Sequence, residues 1–321
     1  MRQILLSAVK IVVTVVLLYF ALRKDDLIEL YSRFTQINPG WIILWITLAI
    51  AVTLVQILVG VLRWRVISTA CAAPLGFGQA MRYNMIGTFF NQTLPSAIGG
   101  DAVRLWLLAR SGAGWRAATY SVFIDRAVGL IALAVLVVAS LPFSYRLISD
   151  PEGHTALLLV DLAAFAVGAG FLVLGCLNWS WLKSWRAIRD IHACAVITRQ
   201  LLLGLAKGPV MWLLSLSIHV LAVVLAWCVA RAIGAEVAFA QVFLLIPPVM
   251  LITMLPISIA GWGVREASMA LAFKYASLDY SDGAQVSLLF GAVYFLVGAL
   301  GGMVWILSGE KVSRDGAEVL E

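Results

Sequence analysis

The chain has 321 residues, of which 62% are hydrophobic and only 12% are charged, and its mean hydropathy is +0.98. Soluble domains contain roughly 45–50% apolar residues, so this composition excludes a soluble globular protein and indicates an integral membrane protein. The formal net charge of +6 is interpreted as positive charge in loops that face a membrane surface, and nucleic acid binding is not expected.

Six apolar segments are long enough to cross a membrane as helices. A spanning helix needs about 20 apolar residues to cross a hydrocarbon core of about 30 Å. The first segment contains Lys10, follows Arg2 and has no A-x-A-like cleavage site, so it is predicted to be a retained anchor and not a signal peptide. The predicted spans are 4–22, 41–62, 117–141, 155–177, 208–232 and 284–308.

Two shorter apolar segments, 80–94 and 240–255, each run into a break that is rich in proline and glycine. A further short helical piece follows each break, at 102–110 and 264–275. At 1.5 Å per residue, the first segment reaches only about 22 Å and the piece after it about 13 Å, so neither crosses the bilayer alone. Each pair is therefore predicted to form a re-entrant hairpin. An amphipathic stretch is predicted around 180–207.

The two breaks are similar in sequence, which predicts an internal repeat. LPSAIGGDAVR at 94–104 aligns without a gap with LPISIAGWGVR at 255–265, and six of the eleven positions are identical at an offset of 161 residues. The same offset carries 117–141 onto 278–302 and roughly relates 41–62 to the 208–232 region. Repeat units are predicted at about 1–145 and 146–309.

Each unit contains three crossings and one hairpin that does not cross, which places the second copy upside down in the bilayer, as in many transporters. The predicted fold is an all-α polytopic membrane protein with about six spanning helices and two re-entrant helical hairpins, arranged as an inverted internal repeat. Residues 1–309 are predicted to form a single transmembrane domain. Most loop arginines and lysines then fall on one side, which predicts cytoplasmic N- and C-termini and a short cytoplasmic tail at 310–321.

The hairpin breaks carry the residue types best suited to bind a polar group. Unpaired backbone groups cost several kcal/mol each in hydrocarbon, so a broken helix should lie inside protein or beside a water-filled cavity. Glycines expose backbone amides, a helix N-terminus attracts anions, and a guanidinium group suits bidentate phosphate binding. The predicted substrate-binding residues are Asn91, Gly99, Gly100, Asp101, Arg104, Gly261, Gly263, Arg265 and Glu266.

Several of these charges also have structural interpretations. Asp101 alternatively caps the helix that follows it, and Glu266 alternatively pairs with an arginine. Asp125 and Arg126 lie inside a predicted span, where insertion scales assign a charge roughly 2.5–3.5 kcal/mol at the helix centre, so they are predicted to balance charge or to gate. Their alternative is an ion pair with the hairpins. His219 is either a proton carrier or a histidine bonded to a neighbouring helix.

Motifs for enzymes and metal sites are largely missing from the sequence. The four cysteines form no C-x-x-C and the three histidines show no metal-ligand spacing, so neither a metal nor a cofactor is predicted. Walker A, G-x-S-x-G and dinucleotide-binding motifs are not found. An enzyme is therefore not expected. The alternatives left open are an intramembrane enzyme with Asp101 or Glu266 as a catalytic carboxylate, and a membrane scaffold.

Three segments and one residue pair carry a family resemblance: FFNQTLPSAIGGDAVRLWLLAR, VFIDRAVGL, LPISIAGWGVREA and Arg63-Trp64. They resemble the lysylphosphatidylglycerol synthetase transmembrane family, also called flippase-like, from about residue 4 to 308. The resemblance implies a bacterial inner-membrane protein related to the flippase portion of enzymes that aminoacylate phosphatidylglycerol and carry it to the outer leaflet. Those larger relatives attach the amino acid with a soluble C-terminal domain. This chain stops at Glu321, so synthetase activity is not expected.

The predicted function is a lipid translocase that moves a phospholipid or a lipid-linked polar head group across the inner membrane. The alternative is an intramembrane enzyme or accessory subunit in the biosynthesis of lipids, envelope glycans or hopanoid-type lipids. Membrane lipids and envelope-lipid biosynthetic enzymes are the expected partners. The oligomeric state is left open.

Overall fold

The computed structural model describes residues 24–94, 99–177, 185–254 and 261–308, and regular structure in these ranges is entirely helical. Predicted segments 4–22 and 310–321, and the centres of both breaks, lie outside the described residues. The described helices are α1 (Lys24–Gln36), α2 (Pro39–Ala70), α3 (Phe77–Thr93), α4 (Gly99–Leu108), a π-helical turn (Ala109–Ala113), α5 (Trp115–Leu147), α6 (Pro151–Leu174), α7 (Arg186–Leu203), α8 (Gly208–Ala232), α9 (Phe239–Thr253), α10 (Val264–Tyr275) and α11 (Tyr280–Ser308).

Five of these helices, α2, α5, α6, α8 and α11, are long and apolar enough to cross a membrane. They correspond to five of the six predicted spans. Two of them begin with a proline at the first helical position and a side-chain cap just before it. Asn38 accepts the N–H of Gly40 at 2.8 Å, and Asp150 accepts the N–H of Glu152 at 2.8 Å. These caps satisfy amides that have no partner within the helix.

The four short helical pieces predicted around the breaks are observed as α3, α4, α9 and α10. The longest, α3, has 17 residues, which corresponds to about 25 Å. We call α3 and α4 the first hairpin and α9 and α10 the second hairpin. The predicted amphipathic stretch contains α7, which packs on α5, α6 and α8.

Helices α2 and α8, which the predicted repeat relates to each other, pack together in opposite directions. Near the start of α2, Trp41 Nε1 donates to the carbonyl oxygen of Arg231 at 2.8 Å. In the middle of α2, Gln56 Nε2 donates to the carbonyl oxygen of Ile218 at 2.8 Å. Residue numbers therefore rise along α2 while they fall along its contacts in α8. These two helices therefore run antiparallel.

The two hairpins connect to opposite ends of the bundle, which we call the Arg65 end and the Trp41 end after residues at the two ends of α2. The first hairpin follows the C-terminus of α2 and leads into α5, whose start bonds to the same region through Trp64 Nε1 and Ser121 Oγ at 2.9 Å. The second hairpin follows the C-terminus of α8, at the Trp41 end. It leads into α11, whose first turn pairs with α1 through Asp282 and Arg33 at 2.5 Å.

Glycines allow the backbone of α11 to approach the first hairpin closely. A Cβ atom built on Gly301 would lie 2.0 Å from the carbonyl oxygen of Met85, and one built on Gly302 would lie 2.9 Å from the ring of Phe89. Gly298 and Gly302 have the four-residue spacing that brings helices close together in membranes. This contact ties the last span of the second unit to the first hairpin.

Candidate functional site

Five charged side chains from α2, α4 and α5 form an alternating chain of ion pairs, which we call the charge cluster: Arg63, Asp125, Arg104, Asp101 and Arg126. Asp125 joins Arg63 at 3.0 Å and Arg104 at 3.2 Å. Asp101 joins Arg104 at 3.2 Å, and it accepts two hydrogen bonds from Arg126, at 2.5 and 2.9 Å. Three cations and two anions give the cluster a formal charge of +1.

The members of the cluster differ sharply in exposure. The side chains of Asp101, Arg104 and Asp125 are buried, whereas 51% of the Arg126 side chain is accessible. The guanidinium carbon of Arg104 also lies 4.1 Å from the centre of the Trp64 ring, a cation–π distance. Arg126 is therefore the member of the cluster that can meet a ligand.

A cavity of about 780 Å³ lies beside Arg126. Its walls come from the first hairpin, α5 and α6, and from residues on both sides of the second break. Most of its surface is apolar, with aromatic rings from Phe123 and Phe171. Among the residues that the structure describes, the polar ones in the lining are Asn91, Gln92, Asp101, Thr119, Arg126 and Thr253. The cavity thus combines one accessible cation with a few hydrogen-bonding groups and a large apolar wall.

The second unit has a smaller, neutral polar group around Arg265. Its guanidinium donates to Glu266 at 2.9 Å and to Ser287 Oγ at 3.1 Å, and Ser287 Oγ donates to Glu266 at 3.0 Å. The fully buried Glu266 also accepts the N–H of Gly263 at 2.6 Å. Gly263 has φ of 83°, a conformation that strongly favours glycine. One cation and one anion leave no net charge here.

Positions that are related by the predicted repeat offset of 161 residues differ in charge. Trp262 aligns with Asp101, and Ser287 aligns with Arg126. Arg104 aligns with Arg265, whose Cζ atom lies 5.0 Å from the centre of the Trp262 ring. The second unit therefore lacks both the bridging aspartate and the accessible arginine of the first.

The predicted ligand residues divide into two groups. Asn91, Asp101 and Gly261 line the cavity. The amide predicted to be available at Gly100 already donates to Asn91 Oδ1, at 3.0 Å. The predicted residues that do not appear in the cavity wall are Gly99, Gly100, Arg104, Gly263, Arg265 and Glu266. Their direct contact with a ligand stays a prediction.

The ionisable residues inside the predicted spans form the ion pairs and the hydrogen bond that were predicted as the alternatives to a functional role. Asp125 and Arg126 both bond to the first hairpin, and Asp125 also bonds to Arg63 of α2. His219 Nε2 bonds to the carbonyl oxygen of Gly129 on the neighbouring α5, at 2.9 Å. Sequence reasoning missed the role of Arg63, because the predicted span 41–62 ends one residue before it, whereas the observed helix continues to Ala70.

Asn91 is expected to stabilise the closed end of the first hairpin, because its side chain accepts the Gly100 N–H near the start of α4. Replacing Asn91 by alanine should lower the free energy of unfolding by about 1 kcal/mol, the contribution of one such hydrogen bond. Denaturant unfolding in micelles, followed by circular dichroism, measures this. The control is Gln92→Ala on the same helix and in the same cavity wall. An equal loss in both variants would show that the Asn91 bond is not responsible.

A bundle of membrane-length helices with two hairpins beside a charged cavity defines a multi-pass helical membrane protein. Comparison with protein-family models matches residues 7–302 to the Lysylphosphatidylglycerol synthase TM region. The chain belongs to this family, which confirms the resemblance and relates the protein to membrane lipid biosynthesis and translocation. Searches of curated proteins and of solved structures gave no match. Within the described ranges, His, Cys, Asp and Glu form no group of three or more that could hold a metal ion.

Proposed function

We propose that this protein is a lipid translocase that moves a phospholipid or a lipid-linked polar head group across the bacterial inner membrane and leaves it chemically unchanged. The observation that carries the proposal is the accessible Arg126 in the cavity between the two hairpins. A lipid phosphate meets this guanidinium, while the apolar wall around Phe123 and Phe171 accommodates a hydrocarbon chain. This function requires neither a chemical reaction on the lipid nor a bound cofactor.

The charge of the cluster supports an anionic head group. A phosphodiester carries one negative charge, which balances the formal +1 of the cluster. Asp101 bonds to Nε and Nη2 of Arg126, so the phosphate is proposed to meet the remaining nitrogen, Nη1. Arg104, Asp125 and Arg63 hold Asp101 and α5 in place and act as positioning residues. A charge inside a membrane is costly, and mutual neutralisation lowers the barrier to its passage.

The arrangement of the helices supports an inverted repeat. The related helices α2 and α8 are antiparallel, and the hairpins connect to opposite ends of the bundle. With 4–22 as a sixth span, each unit would have three crossings and one re-entrant hairpin, and the head group would pass between hairpins that enter from opposite leaflets. The Arg65 end is proposed to be cytoplasmic under the positive-inside rule, because it carries Arg65, Arg82, Arg110, Arg116, Arg186, Arg189, Arg199 and Lys207.

Arg126→Gln tests the proposal in vesicles reconstituted with the full chain and fluorescent phosphatidylglycerol. A hydrogen bond to a charged group contributes about 1.5–3 kcal/mol, so the rate of lipid movement should fall about 10- to 150-fold. Dithionite quenching of the label in the outer leaflet measures this rate. Arg116→Gln is the matched control, because Arg116 lies on the same helix with 66% of its side chain exposed.

The expected outcome is loss of transport in Arg126→Gln, normal transport in Arg116→Gln and an unchanged mass of the transported lipid. Undiminished transport in Arg126→Gln would refute the assignment of the phosphate contact. A lipid product of altered mass would refute the translocase proposal and support the alternative of an intramembrane enzyme. Equal amounts of protein in the vesicles exclude a failure of insertion.

A further inference from the structure

A second cavity, of about 520 Å³, is a groove between the C-terminal half of α2 and the N-terminal half of α8. On α2 its wall is one helical stripe at three- and four-residue spacing: Leu62, Arg65, Val66 and Thr69. None of these residues lines the cavity beside Arg126. The groove is therefore a separate feature of the bundle.

The α8 wall of the groove is a matching stripe of Lys207, Val210 and Leu214. Because α2 and α8 are antiparallel, with Gln56 bonded to Ile218, Lys207 lies at about the same height as Arg65. The lining residues nearest the middle of the bundle are apolar on both helices, Leu62 on α2 and Leu214 on α8. The groove thus has two cations at the Arg65 end and a hydrocarbon surface that continues toward the middle of the bundle.

The two cations are placed to face a ligand. Lys207 is exposed, and Arg65 is partly exposed. Arg65 uses Nε to donate to the carbonyl oxygen of Leu75 at 3.1 Å, which orients the guanidinium, and its Cζ atom lies 5.8 Å from the centre of the Phe77 ring. Leu62 and Val210 are also exposed, so the groove opens on the surface of two membrane-length helices.

We infer that this groove binds an anionic phospholipid from the adjoining leaflet, with its phosphate between Arg65 and Lys207 and an acyl chain along Leu62 and Leu214. Paired cations at a membrane surface favour anionic head groups, and basic pockets between membrane helices are known lipid sites. A zwitterionic lipid brings its own cation beside these two side chains and binds more weakly. This lipid is bound in addition to the transported one, and the inference does not depend on transport.

The test uses the full chain purified in detergent, with phosphatidylglycerol and phosphatidylcholine as probes and native mass spectrometry as the readout. Wild type should bind phosphatidylglycerol in preference to phosphatidylcholine. The double variant Arg65→Gln/Lys207→Gln should lower the affinity for phosphatidylglycerol about 10- to 30-fold. Val210→Trp fills the groove without changing its charge, and it should also lower the affinity.

The matched control is Arg186→Gln/Arg189→Gln, which removes two exposed charges of α7 outside the groove. It should leave the affinity for phosphatidylglycerol unchanged. An equal loss in this control, retained affinity in both groove variants, or equal binding of the two lipids by wild type would each overturn the inference. Groove binding should persist in Arg126→Gln, so failure of the lipid site and failure of the translocase proposal can be distinguished.

Discussion

Asp125→Asn is expected to lower the free energy of unfolding by about 3–5 kcal/mol, because it breaks a buried ion-pair network by removing one partner. Asp125 is 5% exposed and joins Arg63 at 3.0 Å and Arg104 at 3.2 Å. Asparagine has nearly the same shape but no charge, so the formal charge of the cluster would rise from +1 to +2. Denaturant titration in micelles with circular dichroism detection measures the loss.

Two further variants test whether charge is the cause of this loss. Adding Arg63→Gln to Asp125→Asn restores the formal charge of the cluster to +1 and should recover part of the stability. Asp190→Asn, the control, removes an aspartate whose pair with Arg116 is exposed on both sides, so its effect should be within the error of the measurement. If Asp190→Asn were as damaging as Asp125→Asn, the burial of the cluster would not explain its importance.

Gly301→Ala should lower the free energy of unfolding by about 1–3 kcal/mol, the usual cost of overpacking. The new Cβ atom would lie 2.0 Å from the carbonyl oxygen of Met85. A backbone oxygen cannot rotate away as a side chain can, so α3 and α11 would have to separate. Thermal unfolding in micelles measures the effect.

Gly170→Ala is the matched control for Gly301→Ala. Gly170 lies inside α6, and a Cβ atom there meets no heavy atom within 4 Å. Since alanine favours the helix more than glycine does, this variant should be as stable as the wild type or slightly more stable. A similar loss of stability in both variants would mean that the close contact with α3 is not the cause of the loss in Gly301→Ala.

The spans could be predicted because the thickness of a bilayer sets the length of an apolar helix. The boundaries were less accurate where tertiary contacts extend a helix beyond its apolar run. The span predicted at 41–62 is observed as Pro39–Ala70. The helix extends past residue 62 because Arg63 and Trp64 are buried against α5. Hydropathy treats an arginine as a loop residue, and its partner Asp125 is 62 residues away in the sequence.

Four of the five members of the charge cluster could be predicted from the sequence, but Arg63 and the pairing of the side chains could not. The repeat identified Arg104, the break before the following helix identified Asp101, and the cost of charges inside a span identified Asp125 and Arg126. Which guanidinium reaches a cavity depends on how α4 and α5 cross, and no local pattern contains that information. The Trp64 ring covers Arg104, and Arg126 is the accessible one. The spacing of Gly298 and Gly302 was an available signal for the close contact between α3 and α11.

The alternating ion pairs also constrain how the protein can move. Arg63 and Asp125 link α2 to α5, and two further pairs link α4 to α5. Separating any of these helices would strand a charge in a medium of low dielectric, at a cost of several kcal/mol. The proposed translocase would therefore have to carry these three helices together as one rigid body, with the hinges outside them, when its cavity changes access from one leaflet to the other.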